Sequence, residues 1–298
     1  MEIITSINAM QELSRKIAMN GRKLAFVPTM GYLHEGHAGL IRAAKDYGDI
    51  VAASIFVNPV QFGPNEDYEK YPRDFERDRK IAEAAGCNVL FYPDVKEMYP
   101  GGFSTMISIS GVTKKFEGAS RPGHFSGVAT VVAKLFNIVM PYYALFGQKD
   151  YQQTLVIKQL VADLNMGVKV VVVPTVRESD GLAMSSRNSY LTPKERAEAT
   201  LIYKSLEKAV REIEAGERKR KIINAIILSS LRSNHDFKVD YCLSADAESL
   251  DEPEEFIPGQ RIVLLVAAYL GKTRLIDNMT VSIPSAIAGN PGGFVPVV

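Results

Sequence analysis

The chain contains few cysteines and no long apolar run. Its two cysteines, Cys87 and Cys242, lie far apart in apolar segments, which favours buried free thiols over a disulfide and fits a reducing cytosol. No apolar stretch approaches the roughly 20 residues of a membrane-spanning helix. The N-terminal residues 1–10 lack the basic and apolar regions of a signal peptide. We therefore expect a soluble, cytoplasmic protein without a membrane partner.

The chain also lacks an excess of either charge. Its 298 residues include 35 basic and 34 acidic side chains, for a formal net charge of +1. This balance gives no electrostatic basis for binding nucleic acid or an anionic membrane. The charge run at residues 217–221 is most simply a solvated surface. With 46% hydrophobic and 23% charged residues, the composition is that of a globular protein able to bury a core.

Short apolar runs alternate with amphipathic stretches through the first 175 residues. The runs rich in β-branched and aromatic residues predict strands at Lys23–Val27, Ile50–Val57, Val89–Tyr92, Thr105–Ser110, Tyr143–Phe146 and Val168–Val173. The stretches between them predict helices at Gly36–Tyr47, Pro72–Ala85, Gly127–Val139 and Tyr151–Asn165. This alternation predicts an α/β fold with a doubly wound, Rossmann-like parallel sheet, whose ligand cleft lies at the carboxyl ends of the strands.

The pattern changes after Arg187. Thr192 and Glu195 form a capping box, with Pro193 at the first helical position, and open a long helix that runs to about Ala215. Further elements are predicted as a helix at Lys219–Arg232 and strands at Phe237–Leu243, Arg261–Tyr269 and Arg274–Val281. We therefore expect a Rossmann-like domain at 1–187, a smaller α+β C-terminal domain at 188–281 and a loose tail at 282–298.

Residues 28–37 place two glycines and two histidines directly after a predicted strand and before a predicted helix. Such a turn presents free backbone N–H groups and the positive end of a helix dipole, which suits a phosphate. His34 and His37 are three residues apart, so on a helix they are neighbours. Two imidazoles there can donate to a triphosphate and stabilise the charge that develops as pyrophosphate leaves. This pattern predicts nucleotidyl transfer.

Two other interpretations of these histidines remain open. A metal site is one, although the zincin pattern spaces its histidines four apart and no further His or Cys lies nearby. A surface loop is the other, although three of the four histidines in the chain, His34, His37 and His124, lie in glycine-containing turns.

Polar groups also follow two other predicted strands. Asn58 and Gln61 come directly after the second predicted strand and offer amide groups to a hydroxyl or a carboxylate. Lys149 lies in a glycine turn before a helix, where it can pair with phosphates, and Gln153 follows Asp150 by one helical turn. A polar turn after the strand and a simple capped helix start are the alternatives.

Two further segments carry positive charge near predicted loops. Residues 121–124, with Arg121, precede a long helix and are either a mobile loop that brings charge to the cleft or a surface loop. Residues 184–187, with Arg187, end a polar loop that contains Gly181. Hydroxyls and an arginine on such a loop suit closure over phosphates, although by themselves they are also typical of an interdomain hinge.

These motifs together closely resemble the pantoate–β-alanine ligase family, within the HxGH nucleotidyltransferase superfamily, over residues 1 to about 281. Seven segments carry the resemblance in chain order: 28–31, 34–37, 56–62, 71–73, 121–125, 147–153 and 184–188. The resemblance implies an ATP-dependent ligase of pantothenate biosynthesis. ATP and (R)-pantoate would give pantoyl adenylate and pyrophosphate, and β-alanine would then give pantothenate and AMP.

The resemblance also implies a role for each matched residue, with ATP as substrate and Mg²⁺ as cofactor. His34 and His37 would contact the ATP phosphates, His37 as proton donor, and Lys149 and Arg187 would also be catalytic. The ATP site would comprise Met30, Gly31, Tyr32, Leu33, His34, Glu35, Gly36, His37, Gly147, Gln148, Lys149, Asp150, Val176, Met184, Ser185, Ser186 and Arg187. Gln61, Gln153 and Asn58 would bind pantoate, Gln61 would also lie near β-alanine, and Asp78 would bind the metal. A homodimer is implied as well.

Two other functions remain possible from the residues alone. One is a nucleotidyltransferase that keeps the adenylyl group in its product, and the other is a non-catalytic nucleotide-binding regulator. Production of AMP in an amine-dependent reaction distinguishes the first from a ligase, and pyrophosphate release distinguishes the second. Binding of RNA is disfavoured by the balanced charge and by the small size of the C-terminal domain.

Overall fold

A computed structural model describes residues 1–64 and 66–285 of the chain. The chain divides into two compact units, of which the first is Met1–Leu191 and the second begins at Thr192. The first unit thus ends at Leu191, and the domain boundary that we expect at 187/188 stays a prediction. Within the described residues, no helix has both the length and the apolar character to cross a membrane.

The first unit contains a six-stranded sheet, all of whose strands are parallel. In chain order its strands and helices are β1 (Glu2–Ile4), α1 (Ile7–Met19), β2 (Leu24–Thr29), α2 (Glu35–Ala44), β3 (Ile50–Ile55), α3 (Phe75–Ala85), β4 (Val89–Phe91), α4 (Val95–Met98), α5 (Glu117–Ser120), α6 (His124–Val139), β5 (Tyr143–Gly147), α7 (Tyr151–Asp163) and β6 (Lys169–Val173). The strand order is β1-β4-β3-β2-β5-β6. The predicted doubly wound α/β fold is therefore confirmed.

Helices cover both faces of this sheet. Successive residues of a strand point to opposite faces, so neighbouring residues enter different cores. Phe26 of β2 packs into a core with residues of α1, α6 and α7, and its neighbour Val27 packs into a second core with residues of α2 and α3. The chain order reverses between β2 and β5, which pair at Ala25 and Tyr143. In open parallel sheets, a crevice for ligands lies at such a reversal, beyond the carboxyl ends of the strands.

The predicted strand at Thr105–Ser110 is wrong. The N–H of Ile107 donates to Oγ1 of Thr130 on α6 (2.9 Å), and the Thr113 hydroxyl donates to the carbonyl of Ile109. Ile107 and Ile109 pack against the sheet core without joining the sheet. This segment is extended and lies over α6. Such a segment shows the same alternation of apolar and polar residues as a strand, so the sequence pattern does not distinguish the two.

In its described residues, 192–285, the second unit combines three helices with an antiparallel sheet. Its elements are α8 (Pro193–Glu198), α9 (Thr200–Glu214), α10 (Arg220–Arg232), β7 (Phe237–Asp246), β8 (Arg261–Leu270) and β9 (Thr273–Ser282), with strand order β7-β8-β9. The smaller α+β composition predicted for this part of the chain is confirmed.

Two details of this unit concern the predicted boundaries. The capping box forms as predicted, since Oγ1 of Thr192 accepts from the N–H of Glu195 (3.3 Å) and Oε2 of Glu195 accepts from the N–H of Thr192 (2.8 Å). The single long helix is wrong, because α8 and α9 are separated at Ala199, where the Thr200 hydroxyl donates to the carbonyl of Ala197 (2.9 Å). Such a side-chain bond competes with the helical backbone pattern. Residues 286–298 of the predicted tail lie outside the described residues.

Candidate functional site

A cleft lies in the first unit at the carboxyl ends of β2 and β5. It brings together, from positions far apart in the sequence, the predicted site residues Met30, His34, Gly36, His37, Asn58, Gln61, Gly147, Lys149, Asp150, Gln153, Val176, Met184, Ser185, Ser186 and Arg187. Residues of the predicted site that do not line the cleft are Gly31, Tyr32, Leu33, Glu35, Gln148 and Asp78. The two histidines and Lys149 therefore share one cleft with Gln61 and Gln153.

The buried carboxylate of Asp78 holds the turn after β2 by hydrogen bonds to its backbone. Oδ2 of Asp78 accepts from the N–H of Tyr32 and Oδ1 accepts from the N–H of Leu33, both at 2.6 Å. Gly31 has φ +85°, and a Cβ there would lie 3.0 Å from Oδ2 of Asp78 and from Cγ2 of Ile55. Only glycine fits such a backbone beside the carboxylate without strain. Asp78 therefore fixes the course of the chain into the histidine turn.

The contacts of Asp78 bear on the prediction that it binds a metal, which stays a prediction. The side chain is 1% exposed, and both of its oxygens already accept backbone hydrogen bonds. Burial raises the pKa of this carboxyl group, and the two backbone N–H donors act in the opposite direction. In the part of the chain that the structure describes, no three His, Cys, Asp or Glu side chains are grouped as metal ligands. The carboxylate of Asp78 therefore holds the backbone of the turn.

His34 and His37 form a reciprocal cap at the start of α2. Nδ1 of His34 accepts from the N–H of Gly36 (3.1 Å), and Nδ1 of His37 accepts from the N–H of His34 (3.3 Å). The two rings lie 4.2 Å apart between centroids. Since a neutral imidazole carries one proton, both rings must carry it on Nε2. Each histidine is thus a donor at Nε2, and the backbone of the turn fixes this tautomer.

Both histidines are neutral near pH 7. Burial, followed by the positive charge of Lys149, lowers the pKa of His34 to about 4. Burial also lowers the pKa of His37 well below its ordinary value, with further contributions from His34 and Lys149. Lys149 lies at the start of the segment that leads into α7 and pairs with Asp150 at 3.5 Å. The positive charge on this side of the cleft therefore comes from lysine, while the imidazoles act as hydrogen-bond donors.

Gln61 lies across the cleft, in a short 3₁₀ helix (Pro59–Gln61) that follows β3. Its Oε1 accepts from Nδ2 of Asn58 (3.1 Å), and its Nε2 lies 3.1 Å from the thioether sulfur of Met30. A thioether is a weak acceptor, so a ligand carboxylate offers Nε2 a better partner. A Cβ at Gly127 on α6 would lie 2.5 Å from Cα of Gln61, so glycine permits this close approach.

Asn58 lines the cleft, and its predicted contact with an acid substrate stays a prediction. Asn58 is 1% exposed, and Nδ2 donates to Gln61 and to the carbonyl of Gly127 (3.2 Å). Its Oδ1 accepts from the N–H of Val60 (3.3 Å) and from the hydroxyl of Tyr99 (2.8 Å). An asparagine side chain offers two donors and two acceptor positions, and all four are used within the protein. Asn58 therefore orients Gln61.

An apolar wall completes this side of the cleft, and sequence analysis missed it. Its residues on α6 are Val128, Val131, Val132 and Leu135, which recur at helical spacing. Phe56 and Phe146 also line the cleft. The same α6 residues belong to the core of the sheet. Helical spacing predicts an apolar face in either case, so the pattern contains no signal that part of this face borders a ligand cleft.

The positive charge expected at Arg121 is neutralised within the protein. Its guanidinium donates to both carboxylate oxygens of Glu66 (2.7 and 2.6 Å) and to Glu117 (3.3 Å). His124 lies between Arg121 and Gln61. Its Nδ1 is 2.9 Å from the carbonyl of Gln61, and its Nε2 is 3.1 Å from Nη1 of Arg121. Because arginine only donates, Nε2 of His124 accepts and Nδ1 donates. Burial and Arg121 lower the pKa of His124 to about 4.

Arg187 forms a similar pair on the loop that follows β6. Its Nε and Nη2 donate to the two carboxylate oxygens of Asp67 (3.0 and 2.9 Å). The neighbouring Ser186 hydroxyl donates to the carbonyl of Tyr32 (3.3 Å). This contact connects the Arg187 loop to the histidine turn. Thr175 also lines the cleft. Its Oγ1 is buried and has no hydrogen-bond partner among the described residues, and no feature of the sequence indicated this.

The comparisons with known proteins agree on one family. The sequence profile of the pantoate–β-alanine ligase family matches residues 2–280. A pantothenate synthetase of Moorella thermoacetica is 49% identical over 283 residues, which cover 95% of this chain and 99% of the relative.

Solved structures give the same result. A crystal structure of pantothenate synthetase from Thermus thermophilus has a TM-score of 0.87 at 45% identity, covering 94% of this chain and 99% of that chain. A Francisella tularensis pantoate–β-alanine ligase, complexed with β,γ ATP and β-alanine, has a TM-score of 0.76 at 38% identity, covering 94% and 97%. The family predicted from the seven segments is confirmed. This chain therefore belongs to the pantoate–β-alanine ligase family of enzymes.

Proposed function

We propose that the protein condenses (R)-pantoate with β-alanine in two steps, through a pantoyl adenylate, with release of pyrophosphate and then AMP. The observation that carries this proposal is the division of the cleft into two sides. His34, His37 and Lys149 present donors and positive charge on one side, and Gln61 lies beside an apolar wall on the other. A triphosphate suits the first side and a small branched acid suits the second.

In the first step, a carboxylate oxygen of pantoate attacks the α-phosphorus of ATP, and the bond from this phosphorus to the oxygen of pyrophosphate breaks. The attacking carboxylate is already ionised, so the step needs no general base. Negative charge develops on the phosphate oxygens, where preorganised donors lower the barrier because they need no reorientation. The Nε2–H groups of His34 and His37 and the ammonium of Lys149 supply such donors.

Recognition of the acid follows from the opposite side of the cleft. The Nε2 of Gln61 donates to the substrate carboxylate, with Gln153 as a second polar side chain of the cleft. Pantoate carries two methyl groups on one carbon, which pack against Val128, Val131 and Val132 of α6. A neutral amide binds the carboxylate without pairing its charge, so the carboxylate keeps its nucleophilicity.

In the second step, the amine of β-alanine attacks the acyl carbon of the adenylate and AMP leaves. The phosphoryl–carboxyl anhydride provides a good leaving group, so no nucleophilic side chain of the protein is required. Both cysteines are described as free thiols and neither lines the cleft. The amine enters neutral or loses its proton to water.

We propose that ATP binds as its magnesium complex, with the phosphates and water as the metal ligands. The protein contributes donors to the phosphates, and Thr175 offers its buried hydroxyl to the nucleotide. Binding of a ligand supplies the hydrogen bond that this hydroxyl lacks in the described residues, and an unmet buried hydroxyl costs roughly 1–3 kcal/mol.

We further propose that the protein acts as a homodimer in the cytoplasm. Its family membership and its free thiols, Cys87 and Cys242, support these two assignments. Light scattering tests the first: a monomer mass across the working concentrations would exclude the dimer.

Product analysis tests the proposed reaction. Incubation with ATP, Mg²⁺, pantoate and β-alanine should yield pantothenate, AMP and pyrophosphate in equal amounts, and omission of either organic substrate should abolish pantothenate. A product that retains the adenylyl group would instead identify a nucleotidyltransferase. ATP binding without pyrophosphate would identify a nucleotide-binding regulator.

A further inference from the structure

A chain of hydrogen bonds leads from the half-buried Tyr99 to the buried Asn58 and on to Gln61 in the cleft. The Tyr99 hydroxyl lies 2.8 Å from Oδ1 of Asn58, and Nδ2 of Asn58 lies 3.1 Å from Oε1 of Gln61. Tyr99 itself follows α4 and does not line the cleft. It belongs to none of the seven segments that carry the family resemblance.

Backbone groups fix the direction of this chain. The N–H of Val60 can only donate and the carbonyl of Gly127 can only accept, so Asn58 must place Oδ1 towards the first and Nδ2 towards the second. The Tyr99 hydroxyl, which meets Oδ1, must then be a donor. Since Nδ2 of Asn58 donates to Gln61, the Gln61 oxygen must face Asn58.

The consequence is that Gln61 presents its Nε2 donor, and not its oxygen, on the other side. A carboxylate ligand needs a donor, and a reversed amide would set two oxygens against each other. The orientation of one amide therefore decides between attraction and repulsion of the acid. Oδ1 of Asn58 accepts two hydrogen bonds. The one from the Tyr99 hydroxyl (2.8 Å) is shorter than the one from the N–H of Val60 (3.3 Å).

Tyr99 is built to remain a donor in a fixed place. Its ring contacts those of Phe56 and Phe103, with centroids 6.0 and 4.9 Å away, and the Lys134 ammonium lies 5.7 Å from the ring centroid. Burial raises the pKa of the phenol above its ordinary value, so the proton stays on the hydroxyl throughout the working pH range.

We propose that Tyr99 is a positioning residue for acid recognition, whose hydroxyl acts with the backbone of Val60 and Gly127 to hold Asn58, so that the Gln61 amide keeps its donor towards the substrate carboxylate. This rests on the proposed function, in which Gln61 binds that carboxylate. The residue acts on binding and selectivity for the acid, and it leaves ATP binding unchanged.

The test compares Tyr99→Phe with Tyr92→Phe. Both variants lose one hydroxyl and keep the ring, and Tyr92 is a control because its ring stacks on Phe75 outside the chain from Tyr99 to Gln61. Calorimetry measures the Kd of pantoate and of its carboxamide analogue, and a kinetic assay measures the KM for ATP. The calorimetric stoichiometry reports the fraction of protein that is competent to bind, and thermal midpoints verify that both variants fold.

We expect Tyr99→Phe to weaken pantoate binding about 5-fold, the effect of losing roughly 1 kcal/mol of hydrogen-bond energy. Binding of the carboxamide should weaken less, because a reversed Gln61 amide can accept from it, so the selectivity for pantoate falls. The KM for ATP and all values for Tyr92→Phe should match wild type.

Three results would overturn the inference, and they differ in meaning. If wild type makes pantothenate and Tyr99→Phe binds pantoate with unchanged affinity and selectivity, Tyr99 has no positioning role. Equal losses for pantoate, carboxamide and ATP would likewise assign Tyr99 to stability alone. If wild type neither binds pantoate nor releases pyrophosphate with it, the proposed function itself fails and the role of Tyr99 in acid recognition fails with it.

Discussion

We expect the substitution Gly36→Ala to slow adenylate formation without destabilising the protein. A Cβ at this position would lie 2.8 Å from Cε1 and 2.9 Å from Nδ1 of His34. Carbon atoms in contact prefer about 3.5–4.0 Å, so the imidazole must move by roughly 0.5–1 Å. The movement breaks the 3.1 Å hydrogen bond that fixes the His34 tautomer and aims its Nε2 donor.

The expected size of the effect follows from this displacement. A catalytic group misplaced by about 1 Å can cost on the order of 100-fold in rate. Alanine is the better helix former by up to about 1 kcal/mol, and this gain offsets the loss of the His34 cap hydrogen bond, which costs about 1 kcal/mol. Activity should therefore fall while the thermal midpoint changes little.

A single-turnover assay measures this directly. Pyrophosphate is quantified after rapid mixing of excess enzyme with ATP and pantoate, for wild type, Gly36→Ala and the control Gly39→Ala. The control adds the same methyl group to the same helix, and its Cβ would lie 3.4 Å from Cγ2 of Val176, an ordinary contact. A wild-type rate for Gly36→Ala would refute the idea that the turn positions His34 for the reaction.

Three further predictions concern the same cleft. His37→Ala should slow adenylate formation by roughly 10²–10³-fold, the usual loss for one positioned donor, and a single-turnover rate near wild type would remove His37 from the mechanism. The folded-state pKa values of His34 and His124 lie at about 4, below the unfolded value of about 6.5, so the unfolded chain takes up protons first and stability should fall as the pH is lowered through this window. Thermal midpoints measured from pH 7 to pH 4 check this, and a flat profile would contradict it. Asp78→Asn should cost about 1–3 kcal/mol of stability, because an amide N–H would face a backbone N–H. The Mg²⁺ concentration for half-maximal activity should stay at the wild-type value, and an increase would identify Asp78 as a metal ligand.

The histidine turn and the sheet were predictable because their determinants are local. Short apolar runs between amphipathic stretches produce parallel strands wherever helices must cover both faces. The spacing of His34 and His37 next to two glycines is likewise a local property, and α2 begins at Glu35, one residue before the predicted start at Gly36. The carboxyl ends of parallel strands share one edge, so Gln61 and Gln153 could be assigned to the same cleft without knowledge of their contacts.

The contacts that assign individual roles were not predictable, because they join residues distant in sequence. Asp67 and Arg187 are 120 positions apart, and Glu66 and Arg121 are 55 apart. No local pattern reveals that these arginines are already paired with carboxylates. Asp78 likewise has the composition of a metal ligand, and only its position beneath the Tyr32 turn assigns it to the backbone.

The most direct test of the central claim is a rapid-quench experiment with ATP, Mg²⁺ and pantoate in the absence of β-alanine. The account assigns the donors of His34, His37 and Lys149 to pyrophosphate release, and no part of this arrangement requires the amine. It therefore predicts a burst of one pyrophosphate per active site, followed by steady turnover with AMP formation once β-alanine is added. Pyrophosphate that forms only in the presence of β-alanine would contradict the stepwise reaction and the role assigned to the histidine turn.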